Sequence, residues 1–354
     1  MATKTTLTIA AVLAGLSAAA IFTGNPLTWF ESPAATGLYT RWLPPQVPSA
    51  ATTAIEPQER EALGRLPLRG RIVWSSNRSG NHELYLAELG GEVKQLTSNP
   101  HVDYFSRFSP DGERILFLRS QRPWVSFREP DAWDLYVMNV DGTGERRLAA
   151  AAYNPTWTPD GSAILFLHDN RLVRYTLSDD VESVLHEGAA RPTEATVYDP
   201  QLGESGLLAL TLRNSARDGV GVLDMARSTY RTLGQGCNIA WVPGSSTLVW
   251  VESRGAGGTR IIRAESDGGG LRTLIDLPGS YSHEYFPRPS NDGRWLIWGA
   301  SEGGHEHDRA DYEIFVWEMG SPWDTAVRIT FSPANDQWPD LFVTGTVDDD
   351  RPRP

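Results

Sequence analysis

The sequence predicts an all-β fold, a six-bladed β-propeller closed by the C-terminal strand, and three observations predict it. Of 354 residues, 33 are Gly, 24 Pro and 13 Trp, a composition suited to many short strands joined by tight turns rather than to long amphipathic helices. A Pro-Asp-Gly turn flanked by apolar strands recurs along the chain. The last apolar segment matches the strand that the first repeat lacks. With 40% hydrophobic residues the chain can bury a core, which excludes disorder throughout.

In chain order, the first element is an export signal or membrane anchor, residues 1–23. No charge occurs from Thr5 to Phe30, and the segment TLTIAAVLAGLSAAAIF follows Lys4, which predicts an N-terminal hydrophobic helix. An apolar stretch of about 18 residues is near the lower limit for crossing a hydrocarbon core of roughly 30 Å. Ala18-Ala19-Ala20 offers a cleavage site, while Ile21-Phe22 and Trp29 favour an uncleaved anchor that holds residues 5–22 in the inner membrane. No Cys follows the apolar run, which excludes lipid attachment of the bacterial lipoprotein kind. Residues 24–69 read as a Pro/Ala-rich linker with a short helix around Gln58 to Gly64.

The repeats occupy residues 70–343. Phe108-Ser109-Pro110-Asp111-Gly112 returns as Trp157-Thr158-Pro159-Asp160-Gly161 and, weakened, as Pro289-Ser290-Asn291-Asp292-Gly293. Degenerate copies stand at Tyr198-Asp199-Pro200 and Trp241-Val242-Pro243-Gly244. Taking Pro110, Pro159, Pro200, Pro243 and Asn291 as anchors, the spacings are 49, 41, 43 and 48 residues, within the window of roughly 40 to 50 for propeller blades. The first unit, from Gly70, lacks its innermost strand; Asp336-Gln337-Trp338-Pro339-Asp340-Leu341 aligns with Asp103-Tyr104-Phe105-Ser106-Arg107-Phe108 and is expected to supply it by pairing with Gly70 to Trp74. Residues 344–354 form an acidic tail.

These Pro-Asp-Gly units resemble the WD40-like repeats of the TolB family, which also occur in the non-catalytic propeller of prolyl oligopeptidase-type proteins. The resemblance covers about residues 70 to 343 and implies the propeller fold more strongly than any one activity. The 46 residues from 24 to 69 are too few for the α/β domain that accompanies the propeller in TolB itself, and the chain closes at Pro354 without a hydrolase domain. The expectation is a propeller alone.

Formal charge is -12 with acidic residues scattered, so nucleic acid is excluded as a partner. Cys237, the single cysteine, allows no internal disulfide and no thiolate metal cluster, and reads as a buried small hydrophobe. Gly299-Ala300-Ser301-Glu302-Gly303 matches a nucleophile elbow in letters only, because that elbow needs a strand, a helix and an α/β sheet.

Propeller topology places the starts of the inner strands and the loops between second and third strands at one mouth of the central channel. Two of those loops are enlarged, Arg119 to Asp131 and Ser301 to Asp311. The expected binding ring there is Asp103, Tyr104, Asn154, Glu194, Asn238, His283, Glu284, Asp336 and Gln337, with Trp124 and Phe127 as projecting anchors. A divalent metal, bound by His283, His305, His307 and Asp308, is the one cofactor such a ring suggests; oligogalacturonate lyase-type propellers hold a metal in a comparable place.

The function expected is a non-catalytic, extracytoplasmic or periplasmic binding scaffold, monomeric, docking an envelope protein or peptide and meeting the membrane through its N-terminal segment. The alternative is a metal-dependent lyase or hydrolase acting on an acidic saccharide, with Arg107, Arg122, Arg128 and Arg309 near the substrate carboxylates.

Overall fold

The computed structural model describes residues 55–347 except 170, 187–195, 214–218, 256–257, 303, 305–306 and 309. The hydrophobic N-terminal segment, most of the linker and the end of the acidic tail lie outside the described residues. Among those described, no helix is long and apolar enough to cross a membrane.

Where the sequence predicts a short helix, Pro57–Arg65 forms one. Pro57 starts it at a position that needs no amide hydrogen, and the Glu56 amide donates to Glu59 Oε2 at 3.2 Å, half of a capping box. After it the described residues form strands and turns, with two short 3-10 helices at Pro130–Ala132 and Trp323–Thr325. Among the described residues, 24 strands make six antiparallel sheets of four.

Blade one is composite. Its innermost strand is the C-terminal segment Asp336–Thr346, and Leu68–Ser76, Glu83–Glu88 and Val93–Gln95 lie outward in that order. Gly70 pairs with Val343, Ile72 with Leu341 and Ser76 with Asp336. The pairing begins at Leu68 and runs to Thr346, so the ring claims a few residues from both the expected linker and the expected tail. The other inner strands are Asp103–Phe108, Tyr153–Trp157, Thr196–Leu202, Cys237–Trp241 and His283–Pro289 for blades two to six. Cys237 is half-buried at the start of its strand, more open than a core residue.

The recurring turn has a local cause. In blades two, three and six a hydroxyl one residue before the Pro or Asn position (Ser109, Thr158, Ser290) donates to the Asp of the turn. The same hydroxyl accepts the amide of Arg114, Ala163 or Trp295 at 2.9 to 3.0 Å. Gly112, Gly161 and Gly293 take φ of 74°, 67° and 68°, a region glycine enters without steric cost. The third copy carries Asn291 in place of Pro for a long-range reason. Its amide accepts from the Val343 backbone N–H at 2.6 Å and donates to the Val343 carbonyl at 3.0 Å, tying blade six to the closing strand.

The other end of the closing strand is held by charge. Arg78, 1% exposed, makes paired bonds to Glu59 at 3.0 and 3.1 Å and reaches both oxygens of Asp336 at 3.1 and 3.2 Å. Trp74 Nε1 donates to the same Asp336 at 3.1 Å. The helix, the first strand and the last strand therefore share one buried guanidinium. Replacing Arg78 by Ala leaves two buried carboxylates uncompensated, and urea unfolding should show a loss of about 3–5 kcal/mol; a loss below about 1 kcal/mol would mean the closure is held by the strand pairing without this contact.

Candidate functional site

Inner strands run from the face where they start, the upper mouth, to the face of the Pro-Asp-Gly turns, the lower mouth. At the upper mouth the two enlarged loops meet. The Ser126 hydroxyl and the Phe127 amide donate to the buried Asp308 carboxylate at 2.5 and 3.4 Å, and Tyr153 donates to the Phe127 carbonyl at 2.5 Å. The blade-two loop thus lies down over the axis. Trp124 and Phe127 do not project as expected: both are half-buried against the core, since covering their aromatic area on neighbouring blades is favourable.

Beneath this cover, the expected ring residues bond within the chain. Asp103 takes a two-pronged ion pair from Arg119 at 2.8 and 2.9 Å. Glu284, fully buried, accepts the Leu277 amide at 2.6 Å and the Thr259 hydroxyl at 3.3 Å. Asp336 belongs to the Arg78 network, Gln337 donates to the His307 carbonyl, and Tyr104 stacks on Trp133 at 5.4 Å. Their burial makes these groups ties between strands rather than contacts a partner reaches. His283 is half-buried. Glu194 lies outside the described residues.

The metal reading fares similarly. His305 is outside the described residues. The His307 ring is enclosed by Tyr285, Phe127, Phe286, Tyr312 and Trp338, at centroid distances of 4.5 to 6.2 Å. Asp308 is engaged by the loop, with Arg128 3.9 Å away. Among the described residues no group of three or more His, Cys, Asp or Glu is placed to hold a metal ion.

The channel itself is built by one device repeated six times. Each inner strand slips register at the same place, and the slip carries a left-handed residue: Phe105 (φ 59°), Asn154 (48°), Asp199 (49°), Asn238 (51°), Phe286 (57°) and Trp338 (53°). Asn and Asp tolerate this conformation, whereas in bulky residues it is strained. Half of this ring is aromatic and contiguous, with Phe286 and Phe105 4.0 and 3.9 Å from Trp338. Those three rings are at most 4% exposed and form one flank of the channel wall.

Two residues beyond each left-handed position stand Arg107, Thr156, Gln201, Ala240, Arg288 and Asp340. All six line a cavity of about 360 Å³ at the lower mouth, to which every blade contributes. Trp157 and Trp241 form its apolar wall, each fixed by an indole N–H donated to a backbone carbonyl, at 3.3 and 3.0 Å. Gly203 permits this, for a Cβ there would stand 2.8 Å from the Trp241 ring. The letters that mark the site are Tyr104-Phe105-Ser106-Arg107 and Tyr285-Phe286-Pro287-Arg288, the same Tyr-Phe-x-Arg pattern in blades two and six.

Comparison with known proteins gives the same architecture. No family model matches the chain. TolB of Acinetobacter baumannii superposes with a TM-score of 0.57 at 14% identity, over 77% of this chain and 66% of that one. A putative TolB from Agrobacterium tumefaciens gives 0.53 at 16% identity, over 79% of this chain and 91% of that one. In sequence, a TolB homologue of Chlorobaculum tepidum is 29% identical over 99 residues, 27% of this chain and 21% of its own length. The chain is a TolB-like β-propeller. An uncharacterized peptidase of Bacillus subtilis is 34% identical over 90 residues, 25% of this chain but 12% of its own length. The chain matches less than a third of the length of these curated relatives.

Two measurements check the upper mouth of this TolB-like propeller. Burial pushes the Glu284 carboxyl up to about 7, so the folded state holds a proton that the unfolded chain, near its ordinary value of 4.5, releases first. That stabilisation is complete below about pH 4.5 and is lost as pH rises through about 7, with a slope of up to about 1.4 kcal/mol per unit. Glu284→Gln should flatten the slope in urea titrations between pH 5 and 7, and an unchanged slope would remove Glu284 as its source. Separately, chelator treatment or added Mn²⁺ or Zn²⁺ should leave the melting temperature unchanged; a metal-dependent rise would restore the ligand set.

Proposed function

We propose that this propeller is a non-catalytic periplasmic scaffold that holds a protein or peptide of the cell envelope at its lower mouth. The observation that carries the reading is the axial cavity lined by all six blades, set against an upper mouth covered by the loop bearing Phe127. Ligand sites in folds of this kind lie in concave places where several elements converge. The likeness to TolB supports the envelope setting, as does the uncharged segment from Thr5 to Phe30 with its export pattern, which serves as the membrane anchor in this reading. Closure of the ring leaves no inner strand edge for a second copy, in keeping with a monomer.

Filling the cavity tests the proposal. Thr156→Trp in the full chain should leave the circular dichroism spectrum and melting temperature close to those of the parent while reducing capture of an envelope partner at least about tenfold, the effect of a steric block in a packed cavity. Equal capture by parent and variant would move the binding surface elsewhere.

A further inference from the structure

The cavity at the lower mouth contains two arginines that make no direct carboxylate contact among the described residues. Arg107 is 6% exposed. Its Nη1 donates to the Ser106 carbonyl at 2.6 Å and to the Trp338 carbonyl at 3.5 Å, while its buried Nε has no acceptor. Arg288, half-buried on the opposite side of the closing strand's Asp340, donates no hydrogen bond among the described residues. Arg78, Arg119 and Arg328, also buried or half-buried, each contact a carboxylate directly, while Arg174 and Arg213 donate to the Ser162 hydroxyl and to backbone carbonyls.

The nearby acids are already engaged. Asp340 accepts the Phe108 and Leu341 amides at 2.8 and 3.1 Å, Asp199 accepts the Asn238 amide at 2.9 Å, and Glu204 accepts the Gly244 amide at 3.1 Å. Asp340 and Asp199 soften the field of the two guanidinia without bonding them. Burial, and then the charge of Arg288, lower Arg107 well below its ordinary value, as expected of like charges held together away from water. A buried donor without an acceptor costs stability unless something supplies the acceptor.

We propose that Arg107 and Arg288 form a carboxylate-binding site, with the carboxylate arriving on an apolar group that rests against Trp157 and Trp241. This inference rests on the lower mouth being the binding face and names what it binds. A carboxylate suits the fork geometry of a guanidinium. With Asp340 and Asp199 already opposing the two guanidinia, a singly charged carboxylate adds less excess negative charge to the site than a phosphate dianion does. The surrounding Trp rings and prolines favour an apolar group behind the charge. Two sources share this chemistry, the C-terminus of a peptide and a small organic acid.

Calorimetric titration of the full chain in detergent separates them. The probes are N-acetyl-Ala-Ala-Phe with a free carboxyl, the same peptide amidated, benzoate, and inorganic phosphate. The free acid should bind, and amidation should weaken binding at least about tenfold through loss of the charge-assisted bonds. A peptide tighter than benzoate identifies a chain terminus, and the reverse a small acid. Arg288→Gln should weaken the acid by a similar factor while leaving the already weak binding of the amidated peptide unchanged. An arginine that served structure alone would alter stability without separating acid from amide.

Equal binding of acid and amide, or tighter phosphate, or acid binding indifferent to Arg288→Gln, overturns the proposal. So does absence of any binding by these probes. In each of those cases loss of partner capture by Thr156→Trp would still stand for the lower mouth, so failure of the carboxylate site and failure of the scaffold reading are told apart.

Discussion

The fold depends on the last strand finding the first. Four-stranded blades bury their apolar faces against one another only when the ring is complete, and this ring is completed by strand pairing between residues more than 250 apart, Ser76 with Asp336 at one end and Leu68 with Thr346 at the other. Backbone bonds alone do not fix such a register, since a slip by one residue exchanges inward and outward faces. Two side-chain devices supply what is missing. Arg78 reads Asp336 at the start of the strand, and the Asn291 amide reads both polar groups of Val343 near its end. Between these points Trp338 has one place to go, onto Phe105 and Phe286.

Inside the ring, the shared slip in the inner strands separates two jobs. The slip sets where each strand turns its side chains relative to the axis, and it is the same in every blade. What the side chains are is then free to vary. Blades six, one and two present Phe286, Trp338 and Phe105, and blades three, four and five present Asn154, Asp199 and Asn238. The polar half takes the left-handed conformation at little cost. In the aromatic half that cost is set against stacking and burial. The two cationic residues follow aromatic members of the ring, which is why Arg107 and Arg288 stand on one flank of the cavity.

Much of this was legible in the residues, and the parts that were not share a cause. Blade number, turn positions and the identity of the closing strand rest on local patterns, a hydroxyl, a Pro or Asn, an Asp and a Gly in fixed order, whose bonds are made within five residues. The destination of the blade-two loop rests instead on Ser126 meeting Asp308, 182 positions away, and no local pattern encodes it. Read locally, Trp124 and Phe127 are therefore expected to be exposed anchors. Asp103, Glu284 and Asp336 stand at strand starts, where acids usually face water, but their partners Arg119, Thr259 and Arg78 come from other strands or loops. Arg288 shares the Tyr-Phe-x-Arg letters with Arg107; those letters acquire meaning only once the slip is known to aim the fourth residue at the axis.

The cover formed by the blade-two loop has a further consequence when taken with the stacked rings of Phe105, Trp338 and Phe286. The cover and the rings shield one side of the axis, which leaves the lower mouth as the open approach to the cavity. Residence there is governed by one doorway, ringed by the tight turns of five blades. In blades two, three and six each of those turns is closed by a hydroxyl that bonds both the Asp and a backbone amide, so contacts inside the cavity are what hold an occupant there.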